Sequence, residues 1–181
     1  MSLAPSLLLS MPQLLDPNFA RTVVLLCEHA SDGAFGLIVN RPADISAGEA
    51  VQMEPPIQQP NETPLLLGGP VEPQRGWILT ANPPEDVEAR ELGAGLFLSA
   101  SPLLLRRVLS ASEPPARTHV LAGYAGWGAG QLDAELAESA WLIMPVELDL
   151  IFDVAVEDAW ETAIRRLGAD PHLLQAGHGV H

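Results

Sequence analysis

The chain has 181 residues, 48% hydrophobic and only 18% charged; that supports one buried core and excludes a disordered chain, so one domain is expected over 1–175, with a frayed tail at 176–181. Nine basic residues, all of them Arg, face 23 acidic ones for a formal net charge of −14, which excludes Schiff-base and P-loop lysines and argues against direct nucleic-acid binding. The single cysteine, Cys27, excludes an intramolecular disulfide and favours the cytoplasm, and the apolar run Leu7–Leu9 has neither the basic flank of a signal peptide nor the length of a membrane span.

In chain order, residues 6–11 read as a buried strand ending at Met11-Pro12, and Asp16-Pro17-Asn18-Phe19 as a turn. Two apolar runs, 21–29 and 35–39, flank a turn containing Asp32-Gly33, which predicts a β-hairpin. In its first strand Val23, Leu25, Cys27 and His29 share one face, while Val24, Leu26 and Glu28 share the other. A short helix over 46–53 is expected with Ser46 as its cap, followed by an exposed Pro- and Gln-rich loop to Thr63. Strands are predicted at 65–68, 76–81 and 96–99, then a helix over 102–110 with Ser101 at the N-cap and Pro102 at its first position. A strand at 118–122 leads into a glycine-rich turn over 123–130 and a helix over 131–137. A strand at 141–146, an amphipathic helix at 157–167 and a helical piece at 171–175 complete the chain. Strands and helices mix without regular alternation, so the class is α+β, with a mixed sheet covered by helices.

Three motifs carry candidate chemistry. Cys27-Glu28-His29 offers a thiol and an imidazole two residues apart, but two ligands fall short of a zinc site, and a buried Cys with a turn-bonded His is the plainer reading. Gly123–Gly130 could present backbone N–H groups to an anion, yet its spacing matches neither a dinucleotide fingerprint nor a P-loop, and close packing around Tyr124 and Trp127 explains it as well. Leu67-Gly68-Gly69-Pro70-Val71 ends a strand in a tight turn, with Arg75 beyond it as a fork for a carboxylate or phosphate, or for one of the many acidic neighbours. No Ser sits in a G-x-S-x-G context, so a hydrolase elbow is absent.

Taken together, Met11-Pro12, Asp16–Phe19, Cys27–His29, Asp32–Pro42, Leu67–Val71, Gly123–Leu132, Trp141-Leu142 and Leu150–Asp153 make the chain resemble the YqgE/AlgH family. The resemblance spans about residue 6 to about residue 170 and implies an α+β fold with a branched sheet, including a small closed barrel, surrounded by helices. It also implies a bacterial cytosolic protein. Some members carry the label of transcriptional regulator of exopolysaccharide synthesis, and no catalytic residue transfers. Thr80 stands where members often have His, and Ser139 where Asn is common.

The preferred functional reading is a non-enzymatic binding or regulatory protein, acting through a protein or small-molecule partner, with no cofactor, no metal, no membrane and no direct nucleic-acid contact. The alternative is an enzyme working on a small molecule where the Cys27–His29 strand meets the glycine-rich turns. The binding residues expected in either case are Cys27, His29, Asn40, Arg75, Tyr124 and Trp127, which lie at or just beyond strand ends.

Overall fold

Leu7, Leu8 and Leu9 are all fully buried, so the first strand is covered on both faces. A computed structural model describes residues 1–12, 14 and 16–176 of the chain. Strand β1 (Ser6–Ser10) lies between β10 (Trp141–Met144) and β2 (Val23–Ala30), antiparallel to both. The hydrogen-bonded path then runs through β3 (Gly33–Ile38), β9 (Thr118–Gly128), β6 (Val71–Thr80), β8 (Leu96–Ser99) and β7 (Arg90–Gly93). Strands β4 (Pro42–Ser46) and β5 (Pro64–Leu67) pair with each other, and β5 also runs parallel to β9. The α+β class and the branched sheet follow the sequence reading. The path has two ends, β10 and β7, yet Met144 near one end packs in the same cluster as Leu96 and Leu98 near the other. The sheet is therefore a curled half-barrel.

Alternation along the strands assigns side chains to separate cores. Leu7, Leu9, Val23 and Leu25 point into the main core. It is closed by α4 (Leu148–Phe152), through Leu150 and Ile151, and by α5 (Ala159–Arg166), through Trp160, Ala163 and Ile164. Leu8, Val24, Leu26 and Ile38 point the other way, towards Leu132 of α3 (Gln131–Ala137) and the rings of Trp127 and Trp141. A third cluster sets Leu104, Val108 and Leu109 of α2 (Pro102–Ser110) against Leu65, Ile78 and Val120, with Ala47 of the four-residue α1 (Ala47–Ala50) beside them. Each fully buried Leu or Val contributes about 1.5–3 kcal/mol of transfer free energy.

The helix caps follow the sequence. Ser101 Oγ accepts from Leu104 N at 3.3 Å, and Ser46 Oγ from Glu49 N at 3.3 Å. Helix α3 ends at Ser139 with φ +58°, where the Ser139 and Ala140 N–H groups donate back to the carbonyls of Leu136 and Glu135. That closing turn favours Gly or Asn in the left-handed position, which gives a backbone reason for Asn being common there in the resembled family.

Two expectations are corrected, and two elements form where none was expected. The helix expected over 46–53 keeps its Ser46 cap but shrinks to Ala47–Ala50, because the backbone turns extended at Val51 (φ −91°, ψ 130°). The exposed segment 90–93 pairs with β8 as a short edge strand, and 148–152 forms α4. Most important, 123–128 is not a turn. It continues β9, pairing with β3 from Ala125 to Gly128. The last helix, α6, spans Pro171–Ala176; the rest of the tail expected to fray lies outside the described residues.

The sheet forks at Gly68, Gly69 and Gly123. Gly68 N donates to Ala122 O at 2.8 Å, while its carbonyl accepts from Ile38 N at 2.8 Å. A Cβ on Gly69 would stand 2.2 Å from the Tyr124 carbonyl, and one on Gly68 would stand 2.4 Å from Gly123 O. The two backbones thus cross in direct contact, which no residue with a side chain permits. Gly130 is the natural control, since its φ is +72° but nothing lies within 4 Å of its would-be Cβ. Gly69→Ala is expected to lower stability by more than about 4 kcal/mol, or to abolish folding, in urea denaturation. Gly130→Ala should cost only the about 1–2 kcal/mol of a left-handed backbone.

His119 gives the fold a pH dependence. Its ring lies 4.9 Å from that of Phe152, and its Nε2–H donates to Ile151 O at 2.7 Å. Burial is the largest influence and pushes its pKa below the ordinary value of 6.5, with the Ile151 bond pulling the other way. The unfolded chain therefore binds this proton more readily. The His119 contribution is complete above about pH 6.5 and is lost as pH falls towards the lower folded pKa. His119→Gln keeps an N–H donor but does not titrate. Its stability should fall less steeply than the parent's below about pH 6.5, read from urea midpoints.

Candidate functional site

Strand β2 does not alternate to its end. Leu26 pairs with Gly36 and Glu28 with Phe35, so Cys27 is the extra residue of a β-bulge. A bulge shifts every later side chain to the opposite face. Cys27 stays on the main-core side, Glu28 joins that side, and His29 turns to the other. The sequence reading that put Cys27 and His29 on one face is corrected by this single residue.

On the main-core side the bulge opens beside a cleft of about 490 Å³, lined by residues of six strands, β2, β3, β6, β7, β8 and β9. Its floor is aromatic: the Phe35 centroid lies 5.2 Å from that of Trp77 and 5.1 Å from that of Tyr124, and Trp77 meets Tyr124 edge-on at 6.3 Å. Such contacts contribute about 0.5–1.5 kcal/mol each beyond area burial, so the floor is a stiff platform. The rim is charged. Arg90 of β7 pairs with Glu28, and Glu88 stands beside them. Arg75 stacks over the Trp77 ring, 4.4 Å from its centroid, and reaches Glu72 only at 3.7 Å. The neighbouring Glu72 carboxylate is the main reason the Tyr124 pKa is raised. Trp77 is nine-tenths buried, and among the described residues its Nε1–H has no acceptor.

The register between β6 and β9 slips between Val71 and Gly76, and Glu72 has φ +45°. The slipped residues 72–75 are exposed and carry Glu72 and Arg75 to the mouth of the cleft. Gly123, at φ +79°, interrupts the alternation of β9 and puts Tyr124 on the same side as Leu121.

Of the six residues expected to bind, Arg75 and Tyr124 line this cleft. Cys27 lies in the core beneath it, 6% exposed, packed in one cluster with Trp77, Phe35 and Tyr124. Burial pushes its thiol up to about 12, against the opposing pull of Arg90, and Sγ has a carbonyl neighbour, Leu25 O, at 3.6 Å. His29 lies on the opposite face, accepting from Leu3 N at Nδ1 (3.1 Å) and meeting Asp133 of α3 at Nε2 (3.0 Å). Trp127 also lies there, its Nε1–H donating to Glu135, whose same oxygen accepts from Trp141. In a strand, residues three apart face opposite ways, so Tyr124 and Trp127 separate once 123–128 is strand and not turn. Asn40 is a clamp, accepting from Val23 N at 2.9 Å and donating to Arg21 O at 3.0 Å.

Sequence reasoning missed Glu28, Phe35, Trp77 and Arg90. The signals available were the aromatic residues two apart from Arg75 and within the hairpin; nothing local marked the edge strand that delivers Arg90. Thr80 lies outside the cleft, sharing a hydrogen bond with Thr118 Oγ1 at 2.9 Å. Among the described residues no group of three or more His, Cys, Asp or Glu could hold a metal ion, and no helix is long and apolar enough to cross a membrane.

The curled, branched α+β fold is shared with solved structures, and the sequence places the chain in a family. The family model described as AlgH-like matches residues 7–172, and the chain belongs to that family. A UPF0301 protein of Xanthomonas campestris pv. campestris is 40% identical over 171 residues, covering 93% of this chain and 90% of the relative. Another, from Anaeromyxobacter dehalogenans, is 42% identical over 186 residues, covering 98% and 94%. The solution structure of AlgH from Pseudomonas aeruginosa superposes with a TM-score of 0.77 at 36% identity, covering 94% of this chain and 92% of that one. A crystal structure from Corynebacterium diphtheriae, 23% identical over 96% of this chain and 90% of its own, shares the fold at a TM-score of 0.71.

The Cys27 environment sets its reactivity. A thiol moved from 9.0 to about 12 holds on the order of a thousandth of the thiolate at pH 8, and the thiolate is the nucleophile. Native protein should react with an aromatic disulfide reagent at pH 8 at least about a hundredfold more slowly than the urea-unfolded chain. Equal rates would show the thiol to be open and ionised.

Proposed function

We propose that the protein is a non-enzymatic binding protein of the bacterial cytoplasm, whose ligand site is the cleft between Arg75, Trp77 and Tyr124. The observation that carries this reading is the combination of an aromatic floor with a guanidinium, that of Arg75, which makes no hydrogen bond among the described residues. The cleft sets a charged rim over an aromatic floor, and about 490 Å³ lies within the usual range for a small-molecule site. A covalent role for Cys27 loses support because burial suppresses its thiolate, and His29 is turned away from it. Any influence on transcription would pass through a partner, since a chain of net charge −14 lacks the basic footprint that nucleic acid requires.

Two measurements test this. Metabolite-library thermal melts should yield compounds that raise the melting temperature by mass action, and their backbone amide shifts should centre on Phe35, Trp77 and Tyr124. Tyr124→Ala should abolish the melt shift. Hits that map instead to the opposite face around His29 and Trp127 would overturn the site. Duplex DNA should show no sequence-dependent retardation near physiological salt; tight, salt-sensitive retardation would overturn the indirect role.

A further inference from the structure

The arginines of this chain are unequally committed. Arg21, Arg117 and Arg166 are held by carboxylates at 2.5–2.7 Å. Arg90 is paired with Glu28, and Arg41 and Arg106 donate to backbone carbonyls. Arg75 makes no hydrogen bond among the described residues, and its carboxylate neighbour, Glu72, is 3.7 Å away. A guanidinium normally takes a carboxylate through two parallel bonds of about 2.7–2.9 Å. Arg75 is therefore a fork with its bidentate capacity unused, held over the Trp77 ring at the mouth of a cleft.

Three further features narrow the chemistry. The floor consists of Phe35, Trp77 and Tyr124, whose flat faces and edges favour another ring over a branched chain. The Trp77 Nε1–H is sealed from the surface and has no acceptor among the described residues, so Trp77 offers a ligand its ring and not its donor. Arg75 and Arg90 are matched against Glu28, Glu88 and Glu72, all within a chain of net charge −14. That surplus of acid repels polyphosphates and leaves room for one negative group.

We infer that the cleft takes a planar aromatic or heteroaromatic molecule bearing a single carboxylate, with its ring against the Trp77–Tyr124 platform and its carboxylate on Arg75. This rests on the binding role assigned to the cleft and adds the ligand class. On binding, the carboxylate displaces the long Glu72 contact, and the half-exposed Glu72 is left to solvent.

The test uses indole-3-carboxylate and its neutral analogue indole-3-carboxamide, titrated calorimetrically and followed by the Trp77 indole N–H resonance, assigned with Trp77→Phe. The carboxylate should bind saturably and move that resonance, and the carboxamide should bind at least about tenfold more weakly. Arg75→Gln, a change at a half-exposed position, should cost the carboxylate at least about tenfold and leave the carboxamide unchanged. Arg107→Gln, in a separate depression beside Pro83 and Pro115, should alter neither. Equal affinity for both probes, or indifference to Arg75→Gln, overturns the carboxylate assignment while leaving an aromatic-binding cleft. Tighter binding of adenosine triphosphate than of the carboxylate, with the same resonance moving, overturns the single-charge limit. Failure of both indole probes to move the Trp77 resonance overturns the ligand class. Whether the cleft binds anything is then decided separately by the library melts.

Discussion

The crossing of two backbones at Gly68-Gly69 and Gly123 is the constraint on which this architecture depends. Strand β9 belongs to both arms of the sheet: its first half pairs with β5 and β6, its second half with β3. Serving both requires the chain to leave one ladder for the other without leaving polar groups unpaired. Gly68 accomplishes this by bonding Ala122 on one side and Ile38 on the other. The Gly69 backbone lies so close to Tyr124 that even a methyl group would overlap the carbonyl. Without that contact, β9 could continue with β5 and β6 or join β3, but not both.

The fork also determines which side chains face the cleft. Gly123 breaks the period of two in β9, so Tyr124 follows Leu121 onto the main-core side while Ala125 and Trp127 face α3. The bulge at Cys27 does the same to β2, sending Glu28 one way and His29 the other. Each irregularity is one residue long, and each reverses the facing of everything after it. The cleft lies between them, and the slipped residues 72–75 of β6 form its mouth. On the far face, the same reversals bring the Trp127 and Trp141 indoles onto one Glu135 oxygen, which ties α3 to two strands.

The regular parts of this arrangement were legible in the sequence. The hairpin around Asp32-Gly33, the Ser101-Pro102 helix start and the buried leucine strand follow from patterns confined to a few neighbouring residues. Gly123–Gly128 was read as a turn because glycine is a turn signal in isolation; here the glycines thin the strand where other backbone and rings approach, as Gly36 does beneath Trp127. That use of glycine depends on partners distant in sequence, which no local window contains. The site suffered the same limitation. Arg75 and Tyr124 could be named from their positions beyond strand ends, but grouping them with His29 and Trp127 assumed unbroken alternation. A bulge is fixed by the partner strand's register, which a single chain segment does not reveal.

Competition inside the cleft would let a strongly acidic protein hold the proposed anionic group. At physiological salt, charges more than about 8 Å away are largely screened, so the distant acidic residues count for less than the rim itself. On the rim, Arg90 is committed to Glu28, whereas Arg75 is held to Glu72 by a contact too long for a hydrogen bond. Glu72 is itself half-exposed, so losing Arg75 leaves it to water and not unsatisfied. A ligand carboxylate therefore exchanges a long internal ion pair for a short bidentate one, and Arg75 is already over the Trp77 ring where that exchange would occur. Each further negative charge would meet Glu28, Glu72 and Glu88 with no uncommitted guanidinium left in the cleft to receive it. The rim thereby limits the ligand by charge in the same place where the aromatic floor limits it by shape.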